Sequence, residues 1–246
     1  MSFYRVTYHD VRKFATLHNF GCTFKCPFCS YKLKSGANGQ PGHAYPRPER
    51  FLTTEELKNA LRKVSPKQVY FMGGEPTTAQ NIAELLRYAK RELGANTRLG
   101  HTNGSCLALE CLDGANVGFK AWSENLHTAI TGQKKSLIYD NFSRACDAGL
   151  NMAANMIYIP DLVEHKEFEG TMRFLSNISP DIAFHIMGYI PVPGQPYRRP
   201  TDEEMSEVTA LCRSFLRNVG VSHLTTEQAL DLSVRDDRFR VRTIAG

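Results

Sequence analysis

The chain has 246 residues, 30 basic against 25 acidic for a net charge of +5, with 42% hydrophobic and 22% charged content. That length suits one sizeable core and is usual for single α/β barrels, and the mix is that of a soluble globular protein. No apolar run approaches a membrane span, and the start MSFYRVTYHD lacks the apolar core of a secretion signal, so a cytoplasmic protein is expected. An odd count of 7 cysteines argues against a disulfide framework and suits a reducing compartment. Basic residues concentrate weakly at Lys32/Lys34, Lys134/Lys135 and Arg198/Arg199. These read as solvated surface, and no nucleic-acid partner is expected.

In chain order, residues 13–20 read as a first strand that delivers the chain into GCTFKCPFCSYK. The Gly- and Pro-rich SGANGQPGHAYPRPER follows as an exposed loop. Thr53 or Thr54 caps an amphipathic helix reaching Val64, and QVYFM at Gln68–Met72 is a second strand ending at Gly73 and Gly74. A helix over 81–93 places Ile82, Leu85, Leu86 and Leu93 on one face. TRLGHTNG and NVGFK are the third and fourth strands, and two helical patterns fill 124–148. A fifth strand over 152–159 stops at Pro160, a helix covers 168–177, and DIAFHIMGYI is a sixth strand. A long helix over 202–218 and a charged tail end the chain. Alternating strands and helices with neither repeat nor linker predict a single-domain α/β protein over residues 1–246. The form expected is a partial (β/α)6 TIM-type barrel with the cysteine loop after its first strand, and its chemistry at the carboxyl ends of the strands.

Cys22, Cys26 and Cys29 have the spacing C-x3-C-x2-C. Three thiolates on one loop can hold three corners of a 4Fe-4S cube and leave the fourth iron open. A zinc site completed by His18 or His43 is the alternative, although structural zinc sites favour paired C-x2-C units and no second pair exists. Further special residues close or follow the expected strands. Gly73-Gly74-Glu75-Pro76 combines backbone that can approach a ligand, a carboxylate and a fixed turn. Asn103 ends the third strand in Thr102-Asn103-Gly104, Lys120 ends the fourth, Asn155 lies on the fifth and His185 on the sixth.

The cysteine loop resembles the signature of the radical S-adenosylmethionine enzymes, C-x3-C-x-aromatic-C, with Phe28 in the aromatic position. Gly73–Pro76 is similar to that superfamily's GGEP segment. Thr102–Gly104, the Gly118-Phe119-Lys120 triplet and the segment around His185 resemble the branch of the pyruvate formate-lyase activating enzyme. The correspondences run from about His18 to Pro193. The resemblance implies a 4Fe-4S cluster on Cys22, Cys26 and Cys29, with S-adenosylmethionine chelating the open iron. It implies that Phe28 packs near cluster and adenine, that the Gly73–Glu75 backbone meets the cofactor's amino group, and that Asn103, Lys120, Asn155 and His185 lie against the cofactor. Reductive cleavage to methionine and a 5′-deoxyadenosyl radical is the implied activity, with a flavodoxin or ferredoxin-like protein supplying the electron. Two departures stand out: His101 and Gly118 occupy positions where that branch commonly has aspartates that help bind a monovalent cation.

Three functions follow. One is an oxidoreductase that activates a glycyl radical enzyme, its substrate a backbone glycine of a partner protein, with the loop Ile190–Pro200 as docking surface or lid. Another is a radical S-adenosylmethionine enzyme acting on a small metabolite or nucleoside, with Trp122, Tyr189, Arg198 and Arg199 lining its pocket. The third is a zinc- or cluster-binding regulatory module. Cys106, Cys111, Cys146 and Cys212 form no auxiliary-cluster pattern, and Cys146 and Cys212 are expected to be small buried hydrophobes.

Overall fold

The computed structural model describes residues 2–231 and 237–246, so part of the charged tail, residues 232–236, lies outside the described residues. Nine strands form a single sheet: β1 (Ser2–His9), β2 (Phe14–Phe20), β3 (Gln68–Met72), β4 (Asn96–Thr102), β5 (Gly114–Gly118), β6 (Asn151–Tyr158), β7 (Ala183–Gly188), β8 (Val219–Ser222) and β9 (Arg242–Ala245). Their order is β8-β7-β6-β5-β4-β3-β2-β1-β9. From β2 to β8 every neighbour is parallel, whereas β1 pairs antiparallel with both β2 and β9. The sheet is open, an α/β partial barrel edged by β8 and β9.

The six expected strands are β2–β7. The structure adds β1 before them and β8 and β9 after them. Lys13, expected inside the first strand, instead takes φ +55° in the turn between β1 and β2. The last long helix also stops early, at Arg213, because the chain must turn to lay β8 along β7.

Helices cross between the parallel strands: α1 (Lys32–Ser35), α2 (Thr54–Val64), α3 (Ile82–Arg87), α4 (Glu124–Thr131), α5 (Lys135–Asp147), α6 (His165–Ile178) and α7 (Asp202–Arg213), and a short α8 (Thr226–Leu230) follows β8. α3 continues as a π-helical turn over Tyr88–Glu92. Capping boxes begin α2 (Thr53 with Glu56) and α7 (Thr201 with Glu204), each satisfying two backbone donors that a helix start leaves unpaired. None of the described helices is long and apolar enough to cross a membrane.

Strand alternation gives the sheet two unlike faces. Leu17, Phe71, Leu99, Val117, Met156 and Ile186 contribute one fully buried side chain from each of β2–β7 to the core shared with the helices. The other face carries His18, Tyr70, Asn116, Asn155 and His185. Across the mouth of this second face, the segment after β7 reaches the segment after α1. A Cβ at Gly194 would stand 2.7 Å from Cβ of Ala37.

Candidate active site

The cysteine loop and the β3–α3 turn are built as one interlocked unit. Gly21 N–H donates to the Gly42 carbonyl and Glu75 N–H to the Gly21 carbonyl, both at 2.8 Å. Asn19 Nδ2 donates to the carbonyls of Gly21 (3.2 Å) and Glu75 (2.7 Å), and Gly74 N–H donates to the Tyr31 hydroxyl at 3.1 Å. Gly74 has φ +46°, and a Cβ there would sit 2.0 Å from the Gly21 carbonyl oxygen. At Gly73, φ +82°, it would sit 2.7 Å from the Asn19 carbonyl oxygen. The two glycines are therefore required by the approach of the cysteine loop, independently of any ligand.

Cys26 is buried, and Cys22 and Cys29 are half-buried. Burial pushes the Cys26 thiol up to about 12, against the pull of the Lys120 charge, and it raises the Cys22 thiol too. Such thiols stay protonated unless a metal takes the proton's place. Phe24 N–H already points at Cys22 Sγ (3.4 Å), and Asn103 Nδ2 approaches it at 3.9 Å. Three sulfur donors on one loop, two of them open to incoming atoms, fit an iron–sulfur cube.

The two histidines expected to complete a zinc site are engaged with other partners. His18 is bonded to Thr7 Oγ1 at 2.9 Å, and His43 turns Nδ1 to the Pro41 carbonyl and its ring to Phe20.

Glu75 is fully buried. Its carboxylate accepts from Thr77 N–H (3.1 Å) and hydroxyl (2.7 Å), Thr102 hydroxyl (2.9 Å) and Asn103 N–H (2.6 Å). Burial raises its pKa while these donors pull it down. The carboxylate is thus occupied by protein, and it fastens the β3 turn to the end of β4. Asn103 is held in turn: its Nδ2 donates to Thr23 Oγ1 at 2.9 Å and its Oδ1 accepts Ser105 N–H at 2.9 Å.

Lys120 lies two residues beyond β5 rather than at its end, and it folds back. Its Nζ sits 2.9 Å from where a Gly118 Cβ would be, so a larger residue at 118 would displace it. Among the described residues Lys120 has no hydrogen bond or ion pair. Asn155 Nδ2 donates to Asn116 Oδ1 at 2.8 Å and lies 3.5 Å from His101 Nδ1. Solvent reaches His101, yet protein surrounds it, as expected for a group lining a concave interior. Lost hydration first, then the charges of Lys120 and His185, lower its pKa to about 4. His185 Nε2 meets Ser222 Oγ of β8 at 3.0 Å.

Asn103 touches the cysteine loop and the Lys120 charge reaches Cys26, whereas Asn155 and His185 lie within β6 and β7, level with each other and with Gly118. Phe28 is buried in the core against the loop. Sequence reasoning missed Asn19, Tyr31, Thr77, Asn116 and Ser222, all partners of the expected residues. The polar alternation of β5 and β6 was the available signal for Asn116.

Trp122, Arg198 and Arg199 do not form the expected pocket. Trp122 packs on Gly170 beneath the Lys135 ammonium, 3.7 Å from the ring centroid. Arg198 forks onto Glu204, and Arg199 donates to the carbonyls of His223 and Leu224. Tyr189 is buried, its hydroxyl accepting Val192 N–H. Cys212 is buried as expected, but Cys146 is only half so.

The description of the Radical SAM superfamily matches residues 16–175. A Methanocaldococcus jannaschii protein named as a candidate glycyl-radical enzyme activating enzyme is 26% identical over 221 residues, 84% of this chain and 80% of that protein. Among solved structures, Streptococcus suis SuiB bound to S-adenosylmethionine superposes with TM-score 0.62 at 17% identity, over 84% of this chain and 48% of that one. SuiB bound to its precursor peptide SuiA gives 0.63 at 15% identity, over 90% and 52%. This chain thus spans about half the length of SuiB. A domain of the pyruvate-formate lyase-activating enzyme from Bacteroides vulgatus gives 0.52 at 15% identity, over 63% of this chain and 98% of that one. Family membership implies a 4Fe-4S cluster and S-adenosylmethionine, which the sulfur donors fit. With the match running from within β2 through the cysteine loop and strands β3–β6, this chain belongs to the radical SAM superfamily.

Proposed function

We propose that this chain is a radical SAM oxidoreductase of the glycyl-radical-enzyme activase type, with Cys22, Cys26 and Cys29 as the three cluster ligands. The carrying observation is the interlock of the cysteine loop with the Gly73–Gly74 turn and Asn103, which holds three thiols beside the polar strand ends. When bound, cluster and S-adenosylmethionine together supply reductive cleavage of the cofactor and a 5′-deoxyadenosyl radical.

The protein's part is to bind, orient and exclude water. The Gly73–Gly74 backbone takes the cofactor's amino group, with Glu75 holding that backbone rather than touching the ligand. Lys120, lacking any carboxylate partner, takes an anionic group of the cofactor. Asn155, already oriented by Asn116, and His185, oriented by Ser222, offer neutral hydrogen bonds. Phe28 supports the loop from the core. The whole works as one domain in a reducing cytoplasm, drawing electrons from a flavodoxin or ferredoxin-like donor.

The name of the M. jannaschii relative and the peptide bound to SuiB support a polypeptide substrate. A small metabolite or nucleoside is the second reading. It is favoured by His101 and Gly118 in place of aspartates and by the loops that meet across the mouth at Ala37 and Gly194.

Anaerobic reconstitution with iron and sulfide, followed by reduction with S-adenosylmethionine present, tests the reading. A brown protein that releases 5′-deoxyadenosine is expected. A colourless protein carrying stoichiometric zinc and releasing none would overturn it. Deuterium carried into 5′-deoxyadenosine from a labelled polypeptide glycine or a labelled small molecule separates the two substrate classes.

A further inference from the structure

Thr23, Phe24 and Lys25 separate Cys22 from Cys26, and each is held by its own contact. Thr23 Oγ1 accepts from Asn103 Nδ2 at 2.9 Å, just beyond β4. The other two rest on α4. Lys25 N–H donates to the Thr131 carbonyl at 3.1 Å, and the buried Phe24 ring meets the His127 ring with centroids 5.9 Å apart and planes at 89°. Phe24 also supplies the N–H that points at Cys22 Sγ from 3.4 Å. His127 is thus one side chain removed from a hydrogen bond to a sulfur ligand.

His127 is fully buried, and its two nitrogens have unequal surroundings. Nδ1 lies 3.0 Å from the Gln133 carbonyl oxygen, which can only accept, so the proton sits on Nδ1. Burial holds the ring's pKa below the usual imidazole range, so it carries that one proton. Nε2 is left as a bare acceptor, buried and without a partner. An unbonded polar atom in the interior is costly, so packing alone would favour a hydrocarbon ring here. A phenyl ring, however, could not donate to the Gln133 carbonyl just past the end of α4. An asparagine could donate but would leave the space against Phe24 empty. An imidazole does both. The turn it fastens is the one that presents the Thr131 carbonyl to Lys25: Thr131 Oγ1 donates to the His127 carbonyl at 2.8 Å and accepts Gln133 N–H at 3.0 Å.

We propose that His127 is a positioning residue for the cluster: through the Phe24 ring it seats the arc between Cys22 and Cys26 and holds the Phe24 N–H on the Cys22 sulfur. The inference rests on the reading that the cysteines hold a cluster. An N–H aimed at a ligand sulfur favours the reduced, more negative state and so raises the reduction potential. That dipole acts only while the backbone carrying it stays aligned. Asn103 steadies the arc at Thr23 by itself, so loss of His127 should loosen Phe24 and Lys25 while the fold stands.

The test compares the parent chain with His127→Ala and His127→Phe. Hydrogen exchange of the peptide containing Phe24 and Lys25 is followed before reconstitution, and the midpoint of cluster reduction is found afterwards by a titration monitored by electron paramagnetic resonance. In His127→Ala, exchange in that peptide should quicken about tenfold. The reduction equilibrium should fall about tenfold, a midpoint about 59 mV lower for one electron. His127→Phe, which keeps a ring against Phe24, should recover most of the midpoint while unfolding at lower urea. Leu175→Ala, an equally buried truncation in α6, controls for general loosening and should move neither reading. Parental exchange or a parental midpoint in His127→Ala would overturn the proposal. So would the same shift in Leu175→Ala, or a midpoint in His127→Phe as low as in His127→Ala. If His127→Ala does not fold, His127→Asn, which keeps a donor for the Gln133 carbonyl but no ring, carries the same comparison. A parent chain that takes up no cluster overturns the functional reading instead, and exchange at Phe24 and Lys25 still decides whether His127 seats the arc.

Discussion

The two faces of the sheet divide the work of the molecule. On the helix-covered face each strand from β2 to β7 offers a fully buried apolar side chain. On the concave face the same strands offer histidines, asparagines and a tyrosine. Burial of apolar area is what pays for folding, so the covered face sets stability. Polar groups in a concavity add little to that, and they keep their hydrogen bonds available for a ligand. Lost hydration drives His18 down to about 3 and, with the charges of Lys120 and His185, His101 to about 4, so both stay neutral at physiological pH.

Mutations can break or sharpen this contrast. The largest effect is expected at the cysteines: Cys22→Ala, Cys26→Ala or Cys29→Ala abolishes cofactor cleavage and cluster iron, measured by metal analysis and 5′-deoxyadenosine release. A variant keeping full cleavage would remove the cluster from the account. On the covered face, Phe71→Ala should cost about 3–5 kcal/mol in urea unfolding, through lost burial and a cavity. Asn155→Ala, level with Gly118 and His185 on the concave face, should change stability by only about 1 kcal/mol or less while weakening S-adenosylmethionine binding, measured by calorimetry on the reconstituted enzyme. Equal stability losses at the two sites would erase the distinction between the faces.

The smallest effect is a pH slope. His101 takes up its proton near 6.5 when unfolded and near 4 when folded. Between these values the unfolded chain holds a proton that the folded one rejects. Stability should therefore fall as pH drops through that window and level off below it, apart from the similar, lower-reaching contribution of His18. His101→Asn should flatten the slope, read as the unfolding midpoint across pH.

Much of this was legible in the linear chain because it depends on local pattern. The cysteine spacing, the glycine pair after an apolar strand, and the strand–helix alternation are all written within short windows. β8 and β9 were not legible. VGVS and RTIA are four residues each, flanked by polar chain, and they become strands only because β7 and β1 offer unpaired backbone edges. The partners of the Glu75 carboxylate were not legible for a related reason: Thr102 and Asn103, which fill it, are brought from the next strand. Arg198 likewise looked free until Glu204, six residues on, claimed its guanidinium.

The sequence by itself determined the superfamily signature and the run of six parallel strands, because cysteine spacing and hydrophobic period act over distances shorter than an element. Tertiary structure alone decided which polar groups remain available. A side chain's hydrogen bonds are allotted among whatever neighbours the fold delivers, and those come from strands far apart in the chain. By that allotment Glu75, Arg198 and Arg199 are held by protein, while Lys120 has no hydrogen-bond or ion-pair partner among the described residues.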